Sequence, residues 1–208
     1  MDRSNIKKGI FIVFEGLDGC GKTTQAQLLA GFLAENGIEY THVREPGGTP
    51  VGDTLRALLL DPDTVLTQWG EVLLLAAARA QLVQDVIKPA LAQGRVVICD
   101  RYLFSSLAYQ GYGLEQDVEL VKQVNWEAVQ GLLPDLTFLL DVSPQAGLSR
   151  QARARGLDRI EQRDLSFFNR VWQGYSKLAQ VYNLIRIDGT ANAQEVHQQV
   201  LTYLREII

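Results

Sequence analysis

Gly16-Leu17-Asp18-Gly19-Cys20-Gly21-Lys22-Thr23 has the spacing of a phosphate-binding loop: a glycine, four residues, then Gly-Lys-Thr. Each residue type has a task there. Glycines let the backbone turn several N–H groups toward one anion. A helix opening at Lys22 would add its positive end. The lysine ammonium can reach the β- and γ-phosphates of a nucleoside triphosphate, and the Thr23 hydroxyl is a hard oxygen ligand for Mg2+. Gly16 to Thr24 is therefore the expected ATP site. The loop alone does not separate kinases from GTPases, ATPases or motors.

A second group of residues could hold another anion. Arg44 opens Arg44-Glu45-Pro46-Gly47-Gly48-Thr49-Pro50, and Arg56 follows. Arg79 stands alone in Leu74-Leu75-Ala76-Ala77-Ala78-Arg79-Ala80. On an apolar helix it needs an anionic partner if buried, or else reaches back to water. Asp100-Arg101-Tyr102 is followed by Ser105, Ser106, Tyr109 and Gln110. Asp100 suits a Mg2+ site beside Thr23, or a simple helix cap. Arg150, Arg153, Arg155, Arg159 and Arg163 crowd one stretch around Gly156. Transfer between two phosphates needs several cations and exclusion of water, and a basic flap supplies both. A hydrolase needs the donor site alone.

These groups must be positioned by a parallel sheet. Apolar runs at 9–14, 39–44, 95–100, 136–142 and 184–188 read as buried strands. Helical periods fill 22–35, 51–60, 66–93, 102–109, 115–131, 165–182 and 192–206, with Pro89 able to kink the third. Ser143-Pro144 reads as an N-cap and first turn. The expected fold is α/β: a P-loop NTPase fold with a five-stranded parallel sheet and helices on both faces, like the nucleoside monophosphate kinases. Residues 1–208 form one domain, with a mobile LID at about 148–163.

The 208 residues carry a net charge of −4 and two cysteines, Cys20 and Cys99. That balance excludes a broad nucleic-acid footprint. The N-terminus lacks the apolar core of a signal peptide, and no run suits a membrane span. A reduced, cytoplasmic setting is expected.

The motifs together resemble the thymidylate kinase family over nearly the whole chain. Similarity rests on the P-loop with Thr24-Gln25, on Arg44 to Thr49, and on Asp100-Arg101-Tyr102 with Ala108-Tyr109-Gln110-Gly111. Asp158-Arg159-Ile160-Glu161 and Phe167-Phe168-Asn169-Arg170-Val171 match the end of the family's flap and the helix beyond. The resemblance implies phosphorylation of dTMP to dTDP by ATP and Mg2+, on the route to dTTP, by a homodimer packed through its second and third helices. It places Asp18 near the acceptor's 3′-hydroxyl. It places Arg44, Arg79 and Arg101 on the acceptor, with Arg56 in support. Tyr109 would lie under the deoxyribose, and Ser105, Ser106 and Gln110 around the base and its surroundings. Lys22 and the flap arginines Arg153 or Arg155 would stabilise the transferring group, because this P-loop has no arginine of its own. One departure stands out: Leu75 occupies a position where the family usually stacks a phenylalanine on thymine.

Two alternatives stay open. One is a kinase for another nucleoside monophosphate or a deoxynucleoside; the latter would need a carboxylate base, for which Glu15 is the candidate. The other is a non-catalytic nucleotide-binding relative.

Overall fold

A computed structural model describes residues 9–151 and 158–207. Five strands, β1 (Ile10–Glu15), β2 (Tyr40–Arg44), β3 (Val96–Asp100), β4 (Leu136–Asp141) and β5 (Ile185–Asp188), form one parallel sheet in the order β2-β3-β1-β4-β5. This is the expected α/β architecture. Successive strand residues point to opposite faces. Ile10, Ile12 and Phe14 enter one apolar cluster with Leu29, Leu33 and Val200. Phe11 and Val13 enter another with Val72, Leu82, Val121 and Phe168. Burial on both faces is why β1 reads as an unbroken apolar run.

The helices are α1 (Lys22–Glu35), α2 (Pro50–Leu60), α3 (Gln68–Leu82), α4 (Lys88–Ala92), α5 (Leu103–Ser106), α6 (Val118–Val129), α7 (Pro144–Gln151), α8 (Leu165–Tyr182) and α9 (Ala193–Leu204). Local chemistry fixes several starts. Thr49 caps α2 by accepting from the Gly52 N–H, with Pro50 in the first turn. Asp164 caps α8 by accepting from Phe167 N at 2.8 Å. Asn192 and Glu195 form a capping box on α9.

Three helix expectations are corrected. The helix read as 66–93 is α3, a π-helical stretch at Val83–Ile87, and α4. Pro89 lacks an N–H, and its ring opposes the carbonyl four residues back, at Asp85; the wider π turn relieves that clash. The helix read as 102–109 is α5 extended by a π-helical stretch, Leu107–Gly113, which carries Tyr109 and Gln110. The helix read as 115–131 opens only at Val118. There the Asp117 carboxylate accepts from Glu119 N and Leu120 N. Among the described residues no helix is long and apolar enough to cross a membrane.

Candidate active site

One cavity of about 440 Å3 lies beyond the C-terminal ends of β1, β2 and β3. Ligands bind at such strand ends in doubly wound sheets. Its donor side is the loop after β1. Gly19 has φ +76°, and a Cβ there would lie 2.4 Å from the Gly147 carbonyl oxygen of α7. Only glycine permits both that conformation and that approach. Lys22 is buried, and its ammonium donates to the Leu17 carbonyl at 2.7 Å. Gly19, Gly21, Lys22, Thr23 and Thr24 line the cavity. Gly16, Leu17 and Cys20 do not: Leu17 packs into the core and Cys20 is buried.

The Thr23 hydroxyl donates to Asp100 Oδ2 at 2.5 Å, so two hard oxygens, one from the start of α1 and one from the end of β3, already meet beside Lys22. That donor pair fits an Mg2+ ion that keeps most of its other positions for phosphate and water.

The wall opposite the P-loop, where the acceptor is expected, is built around Arg101. This residue follows β3 with φ 71°, a left-handed conformation that strains a non-glycine residue by roughly 1–3 kcal/mol. Its guanidinium donates to the Gly16 carbonyl at 3.0 Å, the Ser105 hydroxyl at 3.2 Å, the Tyr109 hydroxyl at 3.2 Å and the Asp18 carboxylate. Tyr109 also donates to Asp18 Oδ2 at 2.8 Å. Burial alone would raise the Asp18 carboxyl. Arg101, then Lys22 and the Tyr109 hydroxyl, outweigh it and hold the acid down to about 2. Asp18 is thus a fixed anion joining the P-loop to the acceptor wall.

Arg79 is 2% exposed, so of the two readings of its sequence position burial with an anion is correct. Nε donates to Glu45 Oε2 at 2.7 Å, Nη1 to Ser106 Oγ at 2.9 Å and to Asn125 Oδ1, and Nη2 to the Tyr102 carbonyl at 3.0 Å. Nη2 also lies 2.5 Å from Glu45 Oε2. Each of the three guanidinium nitrogens thus donates to a protein acceptor. Arg79 lines the cavity, yet four of its donors are committed to protein.

Arg44, Arg56, Leu75, Ser105, Ser106, Tyr109 and Gln110 join Asp18, Arg79 and Arg101 around the same cavity. Arg56 is held by the Pro46 carbonyl at 2.8 Å. Sequence reasoning missed part of the wall: Glu45, Pro46, Leu60, Asp158, Ile160 and Glu161 also line it. Leu60 ends α2 without a signal of its own; the others lie in the two motifs that carry Arg44 and Arg159. It also missed Glu71 and Asn125, buried polar residues inside otherwise helical periods. Residues 152–157, with the expected Arg153 and Arg155, lie outside the described residues. Arg150, by contrast, donates to the Gly189 carbonyl at 2.9 Å and ties α7 to the loop after β5.

Glu15 is fully buried and turned away from the cavity. Its oxygens accept from Tyr102 N at 2.9 Å, Ser105 N at 3.1 Å, Ser105 Oγ at 2.6 Å and Tyr175 Oη at 2.9 Å. It fastens the start of α5 to β1 and has no free oxygen for a substrate hydroxyl.

A P-loop facing an arginine-walled second pocket defines a class of enzyme, and comparison with known proteins names it. A family model described as Thymidylate kinase matches residues 14–200. A thymidylate kinase of Trichodesmium erythraeum is 47% identical over 210 residues, covering 92% of this chain and 93% of its own. One from Trichormus variabilis is 48% identical over 197 residues, covering 92% and 93%. One from Exiguobacterium sp. is 45% identical over 201 residues, covering 95% of each. With the match spanning P-loop, acceptor wall and α8 alike, the chain belongs to the thymidylate kinase family.

Proposed function

We propose that this chain, as a single P-loop kinase domain, transfers the γ-phosphate of ATP to dTMP, giving ADP and dTDP with Mg2+ as the metal. The observation that carries this reading is the shared cavity. Gly19, Gly21, Lys22, Thr23 and Thr24 of the donor loop and all ten expected acceptor residues line one cavity.

An acceptor phosphate oxygen attacks the γ-phosphorus, and the bond from that phosphorus to the bridging β–γ oxygen breaks. The acceptor phosphate is already anionic, so no general base is required. Lys22 stabilises charge on the β- and γ-phosphates. Arg101, Arg44 and Arg56 hold the acceptor phosphate in line. Arg79 braces that wall through its bonds to Glu45, Ser106, Asn125 and the Tyr102 carbonyl. Asp18 receives the sugar 3′-hydroxyl, Tyr109 packs under the deoxyribose, Ser106 and Gln110 lie near the base, and Ser105 supports Arg101 on the acceptor wall. Thr23 and Asp100 would hold Mg2+, which when bound neutralises phosphate charge. Arg153 or Arg155 completes the donor side. The occupied oxygens of Glu15 count against a nucleoside kinase, which needs a free carboxylate there.

The test is ADP release with ATP and Mg2+ against dTMP, dUMP, dCMP, dGMP, AMP and free thymidine. Stimulation by dTMP above all others is expected. Preference for a different monophosphate would overturn the substrate, and no stimulation by any acceptor would make this a nucleotide-binding protein.

Leu75 is 9% exposed on the cavity wall. It covers a base by dispersion but has no π face. Leu75→Phe is expected to lower KM for dTMP several-fold, on the order of the 0.5–1.5 kcal/mol of an aromatic pair. An unchanged KM would show that the base does not stack there.

We also propose a homodimer packed through α2 and α3, in a reducing cytoplasm. Val51, Leu58 and Leu73 are exposed on those helices. A monomeric sedimentation coefficient at micromolar concentration would refute the dimer.

A further inference from the structure

We propose that Glu71 is a positioning residue for acceptor recognition: its carboxylate fixes which end of the Gln110 amide faces the base. The inference rests on the dTMP reading above. Glu71 lies in the first turn of α3 and is 1% exposed. Oε1 accepts from Gln110 Nε2 at 2.8 Å. Oε2 accepts from Arg159 Nη2 at 2.8 Å and from Arg163 Nη2 at 2.6 Å. Arg159 is itself anchored to α2, donating to the Leu59 carbonyl at 2.9 Å.

An amide has a donor end and an acceptor end, and only its neighbours decide which points where. An ionised carboxylate accepts and never donates. Burial alone would raise the Glu71 acid. Arg163, then Gln110 and Arg159, outweigh it and keep it below the usual carboxylate range. The Gln110 NH2 group is therefore pinned to Glu71. Its carbonyl oxygen is left on the cavity side, where no described residue donates to it. A bare acceptor on that wall favours a base edge presenting a ring N–H, as thymine does at N3. Cytosine presents an unprotonated nitrogen at the same place, and two acceptors then face each other without a proton between them. The two arginines have a second effect through the same atom. They hold the turn carrying Asp158 and Ile160 against the cavity.

Glu71→Gln can donate as well as accept, so it releases the Gln110 amide to flip. With dTMP and dCMP as acceptors, the ratio of their kcat/KM values is expected to fall at least about tenfold, through KM rather than kcat. Gln110→Ala should lose the same discrimination, and the double variant should lose little more. Glu71→Asp keeps the charge facing Arg159 and Arg163 but draws it back from Gln110. It carries the same expectation if Glu71→Gln does not fold. A parallel loss on both acceptors with the ratio unchanged would make Glu71 a structural prop and overturn the proposal. Wild-type protein that ignores dTMP would defeat the underlying reading, and the proposal with it.

Discussion

Lys22→Ala is expected to lower kcat at least about a hundredfold while the protein stays folded. Removing one donor aimed at developing charge in an enclosed site typically loses about 10^2–10^3 in rate. Lys22 meets the conditions for that magnitude. It is buried, and its ammonium is parked on the Leu17 carbonyl, 2.7 Å away, at the mouth of the glycine loop. It also lies 3.9 Å from Asp18, which joins the loop to the acceptor wall. The ammonium thus sits between the Leu17 carbonyl of the glycine loop and the Asp18 carboxylate. Its structural contribution is small by comparison: a hydrogen bond to the Leu17 carbonyl, worth about 1 kcal/mol, a long one to Cys20 Sγ and a 3.9 Å ion pair with Asp18. The loss should therefore appear in kcat at saturating ATP and dTMP, with a thermal midpoint within a few degrees of wild type. Lys22→Arg should not rescue, because a planar fork does not replace a compact ammonium in a glycine cradle. Turnover within a few-fold of wild type would remove Lys22 from the chemistry.

The donor site was legible because a phosphate cradle is local. One strand, one loop and one helix start, Ile10 to Thr24, contain the whole device, and its glycine spacing is set by backbone conformation. That the arginines would share one cavity was legible for a different reason. Arg44 ends β2, Arg101 follows β3 and Arg56 lies on the helix after β2, and a parallel sheet gathers its strand ends at one edge. Partners were harder to read. Nothing in the periodicity of α3 says that Glu71 meets Gln110 and two arginines 88 and 92 residues away along the chain. Nor does it say that Arg79 meets Asn125 on α6. Those pairings depend on how helices cross, and a polar residue in an apolar period reads the same whether its partner is protein, ligand or water. The π-helical stretches escaped for a related reason. They leave the hydrophobic period nearly intact and shift only the phase of the residues beyond the wider turn, and that phase decides where Tyr109 and Gln110 point.

The largest loss of stability is expected from Arg79→Met. The substitution keeps an unbranched apolar side chain, so the packing around it is largely retained. What it removes is the only cation bonded to Glu45 among the described residues, together with the donors to Ser106, Asn125 and the Tyr102 carbonyl. Breaking a buried ion pair from one side typically loses about 3–5 kcal/mol, a third or more of the stability of an ordinary domain. Glu45 makes the loss depend on pH. Burial pushes its carboxyl up to about 7 even against the attraction of Arg79, and its Oε1 has no partner among the described residues. A carboxyl raised above its ordinary value of 4.5 binds its proton more tightly in the fold than in the unfolded chain. Its contribution to stability is full below that value and is lost as pH rises through about 7. Without Arg79 the acid rises further, so the loss extends to higher pH. Urea unfolding should therefore show a larger deficit of the variant against wild type at about pH 8 than at about pH 5.5. Adding Glu45→Gln to Arg79→Met should recover part of the deficit at the higher pH, because the stranded charge is gone. An equal deficit at both pH values, unrelieved by Glu45→Gln, would mean that the lost hydrogen bonds to Ser106, Asn125 and Tyr102, and not the ion pair, hold this wall in place.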